Sequence, residues 1–286
     1  PIVMEAPDGA QMQYGVTYTG NKVSGVAGSV QPWMWMDANG ATQFPQQTNI
    51  RGSCIALGNV IHCISRFDRK YYRYENGTWS AALSSAIDAS SAIFHLFFID
   101  SRGYLFAAWD EGSSQRLYRS TDNGVTWAAV LTPTELPDAN DYCGSMAEAD
   151  NGYLYATGYN GTGAAGVAVN KIFRSTDGGA TWVDITPNLA FQYLRHVHSV
   201  VWDKHRRCLW VCGGDGAPYA LQGSADYGDT WAAWTGAIQA TAIACDAENV
   251  YYTGDTAGDR SVYRGKGATM AAILSSAPRA ALDIAD

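Results

Sequence analysis

The chain has 286 residues, 47% of them hydrophobic and only 16% charged, which suits a large packed core and excludes a disordered chain. Its formal net charge of -8 opposes docking along a phosphate backbone, so general nucleic-acid binding is not expected, and no run of ~18 apolar residues is present to span a bilayer. The 10 Trp, 17 Tyr and 30 Gly point to strands joined by tight turns, and no window sustains an apolar period near ~3.6, so almost no helix is expected.

Pro1 to Ala10 holds no basic region followed by an apolar stretch, so no leader peptide is read there. Ile2 to Glu5 reads as a short strand able to pair with the last repeat. A first hairpin starts at Val16 (VTYTGNKVSGV) and leads to WMDANGATQF, Trp35 to Phe44. A second starts at Cys54 (CIALGNVIHCI) and leads to YRYENGTW, Tyr72 to Trp79. The third, from Leu96 (LFFIDSRGYLFAA), precedes YRSTDNGVTW, Tyr118 to Trp127. The fourth, from Met146 (MAEADNGYLYAT), precedes FRSTDGGATW, Phe173 to Trp182. The fifth, from Val200 (VVWDKHRRCLWV), precedes GSADYGDTW, Gly223 to Trp231. The sixth, from Ile243 (IACDAENVYYT), precedes VYRGKGATM, Val262 to Met270, and residues 271–286 are expected to supply its outer strand.

Each unit therefore reads as two strands joined by a polar turn, a third strand running into a second turn, and a fourth strand after it. Four strands in ~45 residues, repeated in series, make the blade of a β-propeller. The fold class expected is all-β: one propeller over 1–286, with repeats near 11–48, 49–88, 89–138, 139–190, 191–236 and 237–286. Six four-stranded blades follow, with five as the alternative because the first repeat is the weakest.

Three of the turns share S-x-D-x-G-x-T-W. They resemble the Asp-box, or BNR, repeat of sialidases and related propellers, and the resemblance extends over the whole chain as a periodic pattern. The expected roles are structural. Asp122, Asp177 and Asp226 accept backbone N–H groups of their own turn. Gly124, Gly179 and Gly228 supply a positive φ. Ser120, Ser175 and Ser224 tie strand end to turn, and Trp127, Trp182 and Trp231 bury an indole between sheets. The resemblance places these turns on the outer rim, away from the central site.

Propeller ligands meet the innermost strands, so the first strand of each hairpin was aligned on its turn. Ser53, His95, Ser145, His198 and Thr241 fall five positions before it; Arg51, Ile93, Cys143, His196 and Gln239 fall seven before. Strict alternation would place both sets on one face. Arg51, Ser53, His95, Ser145, Arg195, His196, His198, Gln239 and Thr241 are the candidate ligand-binding ring. A water-filled tunnel with satisfied polar walls is the competing reading. His196 and His198 share a strand face, but no third ligand lies near in sequence, so no metal and no cofactor are expected.

Gly58-Asn59 should set Cys54 directly opposite Cys63. Two buried thiols are the first reading, a cross-strand disulfide the second. Cys208 and Cys212 lie too far apart along one strand to bridge.

The sialidase chemistry that the resemblance raises needs an arginine triad, a Tyr–Glu nucleophile pair, an Asp acid and an Arg-Ile-Pro motif. That motif is missing, and Arg73, Arg119 and Arg174 sit beside the boxes, on the wrong part of a blade. Asp141 and Glu148 are inner-strand carboxylates that form no convincing acid/base pair. No catalytic residue is assigned. A xyloglucanase-type enzyme would need two large propellers, more than this chain supplies. The expectation is a non-catalytic structural or recognition propeller that docks other proteins or a glycan. Its concrete setting is a virion or bacteriophage tail, where the subunits could form a homo-oligomeric ring. A glycoside hydrolase acting on acidic sugars and an assembly chaperone are the alternatives.

Overall fold

A computed structural model of the chain describes residues 3–5, 11–13, 17–19, 22–24, 34–36, 52–57, 60–65, 71–76, 78–80, 94–111, 114–131, 141–160, 171–190, 196–214, 220–235, 240–254, 262–267, 269 and 273. Every strand pairing among them is antiparallel. Near the N-terminus, β1 (Val3–Glu5) pairs with β2 (Gln11–Gln13), while β3 (Thr17–Thr19) and β4 (Lys22–Ser24) form a hairpin of their own. The strand β5 (Met34–Met36) joins β2. One expectation is corrected here: among the described residues, the first hairpin does not take up the strand that follows it, which pairs with β2 instead. The outer strand of the last repeat, with which Ile2 to Glu5 is expected to pair, lies outside the described residues.

The remaining strands form meanders. The first contains β6 (Gly52–Leu57), β7 (Val60–Ser65), β8 (Tyr71–Glu75) and β9 (Thr78–Trp79). The second contains β10 (Phe94–Ile99), β11 (Leu105–Glu111), β12 (Ser114–Ser120) and β13 (Ala128–Leu131). The third contains β14 (Asp141–Glu148), β15 (Leu154–Asn160), β16 (Ile172–Ser175) and β17 (Val183–Asp184). The fourth contains β18 (His196–Asp203), β19 (Cys208–Gly214), β20 (Ala220–Ser224) and β21 (Ala232–Thr235). The last described sheet contains β22 (Ala240–Cys245), β23 (Asn249–Gly254) and β24 (Val262–Lys266). Strands β6, β10, β14, β18 and β22 are neighbours in that order, so the first strand of each sheet is the inner one. The architecture is a β-propeller.

The core lies between blades, and side-chain alternation puts it there. Along β19, Leu209 and Val211 face the preceding blade, packing with Tyr155 and Ile172. Cys208, Trp210 and Cys212 alternate with them and face the following blade, packing with Val250 and Tyr252. A period of two thus sends one strand into two cores. A third cluster joins Phe106, Ala108 and Leu117 to Met146, Leu154 and Phe173 of the next blade. Because both faces are covered, β11 shows four consecutive buried residues, Leu105 to Ala108, where a half-exposed strand would alternate.

Helix is nearly absent among the described residues. A 3-10 turn spans Thr186–Asn188, and the Ile273 N–H donates to the Thr269 carbonyl at 3.1 Å. Ile273 is fully buried against Trp210 and Trp234 from a helical turn, so the outer strand expected from residue 271 is not formed at that point. Cys54 and Cys63 are register partners across β6 and β7, and Cys63 is a buried free thiol. Cys208, Cys212 and Cys245 are free as well.

Candidate functional site

Two ends of each blade concentrate polar side chains. At one end lie the S-x-D-x-G-x-T-W turns, whose Ser, Asp and Thr side chains bond one another and the turn backbone. The Ser120 hydroxyl donates to Asp122 Oδ1 at 2.8 Å and accepts the Gly124 N–H at 2.8 Å. Asp122 Oδ1 accepts the Thr126 N–H at 2.8 Å, and Oδ2 accepts the Thr126 hydroxyl at 2.6 Å. Ser175, Asp177, Gly179 and Thr181 repeat this set, as do Ser224, Asp226, Gly228 and Thr230. The threonines close each turn, a role that the motif alone did not suggest. These bonds favour the carboxylate form, so the Thr181 hydroxyl and N–H hold the Asp177 pKa down at about 2. Asp122 and Asp226 are lowered too, where bonds from threonine and serine outweigh burial.

The residue before each box glycine is left-handed as well: Asn123 at φ 59°, Gly178 at 73° and Tyr227 at 59°. Asn and Gly adopt this readily; a bulky Tyr does not. Tyr227 is held by its surroundings. Its carbonyl accepts the Tyr155 hydroxyl and Arg174 Nη1, both at 2.9 Å, and its ring stacks on Trp202 at 5.5 Å. Trp127 and Trp231 donate their indole N–H to the carbonyls of Gly124 and Gly228, whereas Trp182 Nε1 has no partner among the described residues.

The hairpin turns at the same end stitch consecutive blades together. Glu148 of β14 accepts the Ser101 N–H and hydroxyl, each at 2.6 Å, and Arg102 donates to the Gly152 carbonyl at 3.2 Å. Arg174 pairs with Asp229 at 2.7 Å, and Arg207 with Asp150 at 2.8 Å. Arg206 and Asp203 form a fully buried pair at 2.7 Å. From there Arg206 reaches the carbonyls of Gly267 at 2.7 Å and Asp246 at 2.9 Å, while its Nη2 has no partner among the described residues. Lys171 pairs with Asp184 within one blade.

At the opposite end, the inner strands carry an irregularity that the sequence did not disclose. Pairing shifts at His95 in β10, at Gly144 in β14, at His198 in β18 and between Ala240 and Ile243 in β22. A β-bulge inserts one unpaired residue and re-aims the side chains beside it, so strict alternation does not hold there. Period-two alternation is therefore interrupted in these four strands, whereas β6 pairs without a shift from Gly52 to Leu57. The Ser145 hydroxyl lies between the Val200 N–H at 3.2 Å and the Val200 carbonyl at 3.3 Å. His198 Nδ1 lies 2.6 Å from the Ala240 carbonyl, which makes that nitrogen the donor. Each of these side chains ties one inner strand to the next. The exposed Thr241 hydroxyl meets that of Thr253 at 2.7 Å within its own blade.

Ser53, His95 and His196 are placed by the backbone of β6, β10 and β18. Arg51, Arg195 and Gln239 lie outside the described residues. No group of three or more His, Cys, Asp or Glu able to hold a metal occurs among the described residues, and no helix there is long and apolar enough to cross a membrane.

No family model matches the sequence, and no curated protein matches it. Solved structures do. The fold is similar to the GH74 xyloglucanase of Xanthomonas campestris, with a TM-score of 0.55 and 16% identity over 74% of this chain and 35% of that one. It is similar to the GH74 enzyme of Niastella koreensis, with a TM-score of 0.52 and 18% identity over 75% of this chain and 35% of that one. YCF48 from Cyanidioschyzon merolae gives a TM-score of 0.50 and 16% identity, over 94% of this chain and 86% of that one. The chain thus spans 35% of the length of either GH74 chain. At these identities the likeness shows the propeller fold alone.

Proposed function

We propose that the chain is an Asp-box propeller that works without catalysis, as a structural and recognition platform docking other proteins or a glycan. Its proposed setting is a virion or bacteriophage tail, with the first repeat completing the ring. One observation carries this reading. The inner-strand polar groups Ser145 and His198 are engaged with the backbone of the next blade.

A glycoside hydrolase is the second reading, favoured by the likeness to xyloglucanase. One experiment separates the two. The purified chain is assayed on xyloglucan and on a fluorogenic sialoside, and its native source is probed for proteins that co-purify with it. The recognition reading expects no turnover and a fixed partner, with the chain present in purified virus particles. Turnover that is lost on mutating Arg51 or Arg195 would establish the enzyme instead.

A further inference from the structure

At two consecutive blade junctions, an aromatic ring of one blade lies against the box glycine of the next. Phe106 covers Gly179, and Tyr155 lies beside Gly228. Both rings hold the same place in their blades: Phe106 is the register partner of Arg119, and Tyr155 of Arg174. In the blade of β6 to β9, the residue opposite the matching arginine, Arg73, is His62. An imidazole stands where the sister blades carry a phenyl or phenol ring.

The ring over Gly124 is instead that of Tyr71, so close that a Cβ on Gly124 would lie 2.3 Å from it. Tyr71 also meets Trp127 edge-on at 6.1 Å. Its hydroxyl shares a 2.6 Å hydrogen bond with His62 Nδ1. Tyr71 is fully buried and His62 only 5% exposed. The contact surface between these two blades therefore rests on a buried, titratable pair. We infer that this junction is an acid-sensitive joint, loosened when His62 takes up a proton.

The charges around the imidazole support this. Arg73 and Glu75 face it from β8 with opposite effects, Tyr71 bonds it from the same strand, and Cys63 is its neighbour on β7. On the next blade, the carboxylate of the box turn, Asp122, is committed to Thr126 and Ser120. An imidazolium would sit in the buried site beside the Arg73 guanidinium, with Glu75 the opposing charge. Burial, then Arg73, hold the His62 pKa at about 4, against an ordinary value of 6.5. The unfolded or opened form binds the proton more tightly, so stability is complete above pH 6.5 and is lost as pH falls toward 4.

The test uses the full chain. An NMR titration of the imidazole reads the His62 pKa directly, and hydrogen exchange at Tyr71–Ser80 and Thr121–Trp127, corrected for intrinsic pH effects, reads the joint. Protection there is expected to fall about tenfold between pH 6.5 and pH 5. Protection at the junction of Tyr155 and Gly228 should change little, and H62F should abolish the pH response. If H62F does not fold, H62Q, which keeps hydrogen-bonding atoms for Tyr71 without a titrating ring, takes its place. A His62 that titrates near 6.5, or a variant that loosens with acid as the wild type does, would overturn the inference.

Discussion

The ring of Phe106 lies so close over Gly179 that a Cβ there would stand 2.4 Å from ring atom Cε1. Gly179 is left-handed at φ 82°, and Phe106 is fully buried. The box glycine therefore answers two demands, one of its own turn and one of the neighbouring blade.

Substitution should separate those demands. Gly179→Ala combines backbone strain with displacement of a packed ring, and is expected to cost about 3 kcal/mol. Gly103 has the same φ, 82°, with nothing within 4 Å of an added Cβ, so Gly103→Ala should cost only about 1 kcal/mol. Urea denaturation of the two variants checks this; equal midpoints would mean that Phe106 yields freely.

Acid should act on the box turns. The folded Asp177 pKa of about 2 lies below its ordinary value of 3.8, so the carboxylate stabilises the fold above pH 4 and the benefit is lost as pH falls through 2. The urea midpoints of wild type and Asp177→Asn should differ at pH 6 and converge toward pH 2. A constant gap would show that the turn does not depend on the ionised form.

The Asp203–Arg206 pair offers a third test. Arg206→Met leaves the Asp203 carboxylate buried, still accepting the N–H groups of His205 and Arg206 and the Trp210 indole, but without its counter-charge. Losing one partner of a buried pair is expected to cost about 3–5 kcal/mol, whereas the double variant Asp203→Leu, Arg206→Met should cost less than Arg206→Met alone. Calorimetric melting of wild type, Arg206→Met, Asp203→Leu and the double variant decides; additive losses would mean the charges act independently.

Ser145→Ala and His198→Ala probe the inner strands. Each removes a bond between blades, with an expected cost of about 1–2 kcal/mol, and any partner that co-purifies should remain bound. Unchanged stability together with loss of the partner would make them contact residues instead.

Much of this architecture is legible in the one-dimensional pattern, because its determinants are local. Alternating apolar runs, turn residues at regular intervals and the recurrence of S-x-D-x-G-x-T-W specify hairpins and their order. The cysteine register followed from a two-residue turn in the same way. The bulges at His95, Gly144 and His198 were not readable, since no residue type demands one and they arise from how neighbouring inner strands fit. That fit decided that Ser145 and His198 cross to the next blade.

Sequence alone determined the repeating unit, its turns and the strands that enter them, since each depends on residues a few positions apart. Tertiary structure decided which rings press on which glycines, that His62 meets the Tyr71 hydroxyl, and how Arg174 and Arg206 reach carbonyls 53 and 61 positions away. Those contacts join different blades, and only packing around a common axis brings such distant positions together.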